Sequence, residues 1–226
     1  GKHGEDHEFE VASNPEFLRE GAAIDDFMEP DRIVIGTQTD EGAATMRAIY
    51  SHFDDGEMEF VMASLETSEL TKYAANAFLA TKVAFINEMA NLCEATGADV
   101  AELARGIGLD KRIGKHFLKP GPGYGGSCFP KDTLALTIQA QEADTPTRIV
   151  ESVVLSNSHH IRRLGRKIAD FCADSWDVDR KLPLLGKRIA VRGLAFKAET
   201  DDIRSAASTV IIPLLRQSKL GGRPAK

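Results

Sequence analysis

Among the 226 residues, the side chain best placed for covalent chemistry is Cys128. It follows Gly125, Gly126 and Ser127, and Pro130 suits the first turn of a helix running through Thr133 to Ala143. A thiol at a helix N-terminus faces the positive end of the dipole and unpaired N–H groups, and Lys131 adds charge. This setting favours the thiolate, which is the nucleophilic form. Asp132 stands four residues on and therefore one turn above on the same face. The alternative for Cys128 is a buried structural thiol, the commonest fate of a free cysteine, and the loop alone does not decide between them. Cys93 and Cys172, each on an apolar helix face, are read as structural. Three cysteines at wide spacings with no C-x-x-C pair argue against a disulfide framework and against a thiolate metal site, and no metal is expected.

Other polar residues share spacings that chemistry could use. Lys72 and Asn76 are four apart on a long helical stretch and share one face, which is either a solvated face or part of a site. Glu16 and Glu20, in NPEFLREG, have the same spacing on what reads as a short helix, as capping or surface carboxylates. His159 and His160 are adjacent, so their rings diverge on a helix, and both are read as surface residues. The run Gly121-Pro-Gly123-Tyr-Gly-Gly126 satisfies G-x-G-x-x-G, yet KHFLKP precedes it where a dinucleotide fingerprint needs an apolar strand. Those glycines are expected to shape a sharp loop or to let backbone wrap a ligand.

The elements that must carry these residues follow from periodicity. Phe9 to Ala12 and Arg32 to Gly36 read as strands with a short helix between them, followed by a helix from Glu41 to about His52 and an extended piece at Met58 to Met62. The longest helix is expected over Thr67 to Thr96, with Gly97 as its stop. Asp99, three residues before Glu102, fits an N-cap for a short helix ending near Gly106. Gly114 to Asp132 is a Gly/Pro-rich loop too long for a turn, and a second long helix is expected after Pro146, to about Ala173. Composition shifts at Pro183, after which Ile189 to Val191 reads as a buried strand and SAASTVIIPLLRQ as the helix after it.

A 42% hydrophobic, 27% charged chain is an ordinary globular composition, and a net charge of −6 leaves no general basic field for nucleic acid or an anionic membrane. No apolar run reaches the roughly 18 residues a membrane span needs, and the opening GKHGEDHEFE lacks a signal-peptide core, so a cytoplasmic location is expected.

Four segments, SNPEFLREGAAIDDFMEPDRIVIG, ELTKYAANAFLATKVAFINEMANLCEATGADV, GPGYGGSCFPKDTLAL and GLAFKAETDDIRSA, resemble in order and spacing the UDP-glucose 6-dehydrogenases of the UDP-glucose/GDP-mannose dehydrogenase family. The resemblance implies two successive oxidations of UDP-glucose by NAD, through a cysteine thiohemiacetal and thioester, to UDP-glucuronate. It implies Cys128 as nucleophile, Asp132 and Lys72 as its polar partners, Asn76 as a donor to the oxyanion and Glu20 as the carboxylate that assists hydrolysis. Glu16, Phe17, Leu18, Lys72, Asn76, Arg112, Phe117, Leu118, Lys119, Pro120, Gly121, Gly125 and Lys197 match substrate-contacting positions, and Glu20, Lys131 and Arg204 match positions near NAD. The implied fold is mainly α with α/β ends, a central helical dimerisation domain flanked by partial Rossmann-like domains. Its parts are residues 1–57, the end of an NAD-binding Rossmann domain; 58–182, the central domain with the cysteine loop; and 183–226, the start of a UDP-binding domain. A homodimer is implied. Against the family pattern the strand–GxGxxG–helix is missing, so a fragment without NADH-forming activity of its own is expected. The competing readings are a non-catalytic helical dimerisation remnant and a dehydrogenase of another nucleotide sugar, GDP-mannose or a UDP-N-acetylhexosamine.

Overall fold

The computed structural model describes residues 9–53, 56–174, 184 and 187–216, and these fall into two compact units, Gly1–Ala75 and Asn76–Lys226. The first eight residues and the composition break at Pro183 lie outside the described residues.

The first unit holds helix α1 (Ala23–Met28), strand β1 (Ile33–Gly36), helix α2 (Asp40–Ile49), strand β2 (Phe60–Ala63) and the start of helix α3 (Leu65–Thr96). β1 is the unbroken apolar run Ile33-Val34-Ile35, all three buried, which is how a strand covered on both faces reads. It pairs in parallel with β2, from Ile33 opposite Phe60 to Gly36 opposite Ala63, and the connection between them is α2. The Thr39 side chain caps α2 by accepting from the Gly42 N–H at 3.0 Å, and Arg47 stands in the last turn where the dipole favours a cation. Gly36 is a glycine because a Cβ there would lie 2.6 Å from the Ser68 Cβ and 2.7 Å from the Ser64 carbonyl oxygen.

Two expectations fail in this unit. The strand at Phe9 to Ala12 reduces to a single antiparallel bridge, Ser13 with Gly36, and Phe9 and Val11 are exposed. Side chains this exposed bury too little to repay ordering a longer ladder. The short helix is α1, and Glu16 and Glu20 lie before it. The Glu16 carboxylate accepts from the Leu18 N–H at 2.7 Å, a local turn that competes with helical hydrogen bonding.

In the second unit α3 runs to its stop at Gly97, whose φ of 79° is the left-handed cap that glycine takes without strain. The N–H groups of Gly97 and Ala98 both return to the Cys93 carbonyl, at 2.8 and 3.1 Å. Asp99 caps α4 (Val100–Gly108) through the N–H groups of Ala101 and Glu102. After the long loop come α5 (Phe129–Glu142), α6 (Arg148–Asp174) and α7 (Ala207–Arg216). One core joins Ala80 and Ala84 of α3 to Tyr124 and to Val153 of α6. A second joins Ile161 of α6 to Leu184 and to Ala207, Ile211 and Leu215 of α7. The strand expected at Ile189 to Val191 does not form, and those two side chains are 41% and 47% exposed. No strand among the described residues of this unit offers it a ladder, and a strand without one leaves its backbone groups to water. No helix of the described residues is long and apolar enough to cross a membrane.

Candidate active site

The stretch between α4 and α5 carries the candidate nucleophile, and it is irregular from Leu109 to Cys128. Its first turn is made by Asp110, which accepts the Arg112 N–H at 3.0 Å and pairs with the Arg112 guanidinium at 2.6 Å. These hydrogen bonds hold the Asp110 carboxyl below its ordinary range and raise the guanidinium. Lys82 donates to the Ile113 carbonyl at 2.9 Å. Phe117 has a φ of 62°, unusual for a bulky residue, and its ring lies 6.0 Å from that of Phe129. Leu118 beside it is buried, and Lys119 is exposed.

Gly121 and Tyr124 are then held by side chains. Asn87 accepts the Gly121 N–H at 2.9 Å, and the His160 Nε2 meets the Gly121 carbonyl at 2.8 Å. Asn157 accepts the Tyr124 N–H at 2.9 Å and donates to the Tyr124 carbonyl at 3.0 Å. Burial pushes the Tyr124 phenol up from its ordinary value, against a hydrogen bond with Thr133 that lowers it. The glycines after it are packing glycines. A Cβ at Gly125 would lie 2.4 Å from the Ser205 carbonyl oxygen, and one at Gly126 would lie 2.7 Å from the Phe196 ring. The Gly126 N–H donates to the Arg204 carbonyl at 2.8 Å. No strand precedes this glycine run as a dinucleotide turn requires, and other parts of the chain pack against Gly123, Gly125 and Gly126.

Cys128 occupies the N-cap position of α5 in helical conformation, makes no capping bond, and lies with its Sγ 3.5 Å from the Ser127 Oγ. Pro130 is the second helical residue, where its missing N–H is one of the unpaired donors in any case. One turn on, the Asp132 N–H returns to the Cys128 carbonyl at 2.8 Å. The Asp132 carboxylate is 2% exposed and accepts from the Asn76 Nδ2 at 2.5 Å. Its other oxygen lies 2.7 Å from the Lys131 ammonium but is not aligned for a hydrogen bond. The structure thus brings Asn76, Lys131 and Asp132 together at the head of α5, with one Asn76 N–H already engaged by Asp132.

In the first unit, Lys72 on α3 reaches the Glu16 main-chain carbonyl and, at 3.0 Å, its carboxylate. The Phe17 ring lies 5.4 Å from that ammonium and 4.0 Å from the Arg32 guanidinium. Glu16, Phe17, Leu18 and Lys72 therefore form one group, which Arg32 joins unforeseen. Glu20 is half-buried in the turn before α1. Arg204 is engaged at both carboxylate oxygens of Asp202, and the Lys197 ammonium lies 5.5 Å from the Phe196 ring. The strand-to-helix turn from Gly36 to Asp40 does not suit a dinucleotide phosphate. Thr39 caps the helix, Glu10 bonds the Thr39 hydroxyl at 2.5 Å, and Asp40 and Glu41 occupy the first turn. Among the described residues no group of three or more His, Cys, Asp or Glu is placed to hold a metal ion.

Asn87 and Asn157 are not among the residues expected from the sequence, and His160, expected at the surface, also joins the loop. His160 is half-buried because the loop folds back onto α6. The signal was present for the two amides. Asn87 continues the buried stripe Ala80, Ala84, and Asn157 stands between Val153 and Ile161 at four-residue steps.

A parallel α/β unit, followed in the chain by a helical unit that presents a cysteine at a helix head behind a glycine loop, defines the class: a two-part chain, one part α/β and one part helical with a thiol at a helix head. Comparison with known proteins narrows it. The NAD binding domain model of the UDP-glucose/GDP-mannose dehydrogenase family matches residues 1–54, and the central domain model of that family matches 66–159. The chain belongs to the UDP-glucose/GDP-mannose dehydrogenase family. It is 51% identical over 210 residues to a UDP-glucose 6-dehydrogenase of Rhizobium meliloti (strain 1021), a match covering 92% of this chain and 46% of the relative. A solved UDP-glucose dehydrogenase from Pyrobaculum islandicum is 38% identical, with a TM-score of 0.82 over 93% of this chain and 46% of that one. A UDP-D-ManNAc dehydrogenase from Pyrococcus horikoshii, 24% identical, shares the fold with a TM-score of 0.80 over 96% of this chain and 49% of that one. The chain spans about half the length of the relatives it matches.

The Asn76–Asp132 bond yields a stability prediction. Asn76→Ala removes a hydrogen bond to a buried carboxylate and is expected to lower unfolding stability by about 2 to 3 kcal/mol in urea titration. A change below about 0.5 kcal/mol would show that the bond contributes little.

Proposed function

We propose that this chain supplies the thiol chemistry of an NAD-dependent dehydrogenase that oxidises UDP-glucose twice, to UDP-glucuronate, in the cytoplasm. The observation that carries this reading is Cys128 at the head of α5, with the buried Asp132 one turn above it. Supporting it are the two family matches and the 51% identity to a protein named UDP-glucose 6-dehydrogenase.

NAD, when bound, accepts the hydride of each oxidation. The described residues do not form its pyrophosphate turn. In the proposed chemistry the Cys128 thiolate adds to the carbon of the intermediate aldehyde, forming an S–C bond and placing charge on the former carbonyl oxygen. The Lys72 ammonium and the remaining Asn76 N–H are the donors proposed for that oxyanion. After the second oxidation the sugar is a thioester on Sγ. Water attacks the acyl carbon, Glu20 takes a proton from the water, and the C–S bond breaks to return the thiolate and release the acid. Asp132 supports the site from the helix turn above, aligned by Asn76.

Further roles follow the same reading. Glu16, Phe17, Leu18, Arg112, Phe117, Leu118, Lys119, Pro120, Gly121, Gly125 and Lys197 are proposed to contact the UDP-sugar, and Lys131 and Arg204 to approach NAD. Residues 1–57, 58–182 and 183–226 are proposed as the end of an NAD-binding domain, the central domain and the start of a UDP-binding domain. We also propose a homodimer formed through α3. Phe78, Phe85 and Leu92 stand at seven-residue steps on it and are 66%, 46% and 54% exposed, an apolar stripe of the kind that a partner helix covers.

Three experiments test these proposals. Iodoacetamide with peptide mapping is expected to label Cys128 about tenfold faster than Cys93 or Cys172, with UDP-glucose slowing the reaction. Equal labelling of the three overturns the nucleophile, and labelling indifferent to UDP-glucose overturns the substrate assignment. The chain alone with UDP-glucose and NAD is expected to form no NADH above background; steady formation that Cys128→Ser abolishes would show that its own residues hold the dinucleotide. In sedimentation at micromolar concentration the chain is expected to be a dimer and Phe85→Glu a monomer, whereas a folded monomeric wild type contradicts the dimer.

A further inference from the structure

Around Gly121 and Tyr124 the loop before Cys128 is held by three side chains that take no part in the proposed chemistry. Asn157, buried on α6, bonds both main-chain groups of Tyr124, as a neighbouring strand would. Asn87, buried on α3, and His160, on α6, take the N–H and the carbonyl of Gly121. A carbonyl only accepts, so the His160 Nε2 carries the proton and its Nδ1 faces the Asn91 Nδ2 at 3.4 Å. Asn91 is fixed that way round because its oxygen accepts from the Arg163 guanidinium at 3.0 Å. Gly123, at a φ of 113°, lies so close over Asn157 and Ile161 that a Cβ would approach them to 2.8 and 2.7 Å.

These bonds lead to the thiol. With its main chain fixed, Tyr124 sets its ring among Ala80, Ala84 and Val153 and turns an edge to Phe129, centroid to centroid 6.0 Å. Phe129 is the first residue of α5, directly after Cys128. We propose that Asn157, Asn87 and His160 are positioning residues for Cys128: by holding Gly121 and Tyr124 they seat Phe129 and fix where the head of α5 presents the thiol. The catalytic consequence rests on Cys128 being the nucleophile, whereas the positioning itself does not.

The test uses the 226-residue chain with two readouts, hydrogen exchange of peptides covering 114–128 and the iodoacetamide rate at each cysteine. Asn157→Asp, which loses the donor to the Tyr124 carbonyl, and His160→Leu are each expected to speed loop exchange by about tenfold. Both are expected to change the Cys128 rate by a factor of about three or more while Cys93 and Cys172 keep theirs. His160→Gln retains an N–H donor at similar reach and is expected to restore both readouts. Faster loop exchange with an unchanged Cys128 rate overturns the proposal, as does His160→Gln behaving like His160→Leu. If Asn157→Asp unfolds, with all three thiols reacting fast, the His160 pair decides. A wild-type Cys128 no faster than the other two counts against the nucleophile, while the ratio of variant to wild type still decides the positioning.

Discussion

The cysteine loop depends on one constraint, that main-chain N–H and C=O groups held away from water need partners even where no helix or strand supplies them. From Leu109 to Cys128 the chain has no regular structure, yet Leu118 and Tyr124 within it are buried. Partners come instead from long side chains projecting from helices, namely Lys82, Asn87, Asn157 and His160, and from the main chain at Arg204. An amide side chain suits this work because it carries a donor and an acceptor at the spacing of a peptide group. Asn87 and Asn157, buried inside the helical unit, therefore serve the loop, and apolar residues in their place would leave its backbone unpaired.

A second consequence concerns the small residues. Gly125 and Gly126 have no side chain because the segment around Phe196 and Ser205 lies against them, closer than any Cβ allows. These two glycines thus record where another part of the chain crosses them, a constraint set by packing, although the letters match a ligand-binding turn. That crossing segment lacks regular structure itself, and it is tied down by local bonds such as those from Arg204 to Asp202.

What could be read before the fold was known divides along sequence distance. The long helices, the cap at Asp99, the stop at Gly97 and the cysteine at a helix head are each decided by neighbours within a turn or two, and each was legible. Features decided by distant chain were not. Asp132 is buried against Asn76, and a spacing of four from Cys128 could not reveal that partner. Glu16 has the spacing of a helical residue, yet its carboxylate turns back on the Leu18 N–H and meets Lys72. Ile189 to Val191 has the composition of a strand, but strand formation is a property of pairs, and no partner lies among the described residues of its unit. His160 was misread for the converse reason, since adjacency to His159 describes a helix and not what folds onto it.

The hydrogen bond from the Gly126 N–H to the Arg204 carbonyl also sets an order of events. Synthesis runs from the N-terminus, so α5 and the thiol at its head exist before the residues that close over their loop have been made. The helices can zip early through near neighbours, whereas the loop must wait for a contact that closes a long stretch of chain. Shape at the cysteine is therefore acquired late, and a nascent chain carries a helix with an uncommitted thiol at its tip until the segment around Arg204 has docked.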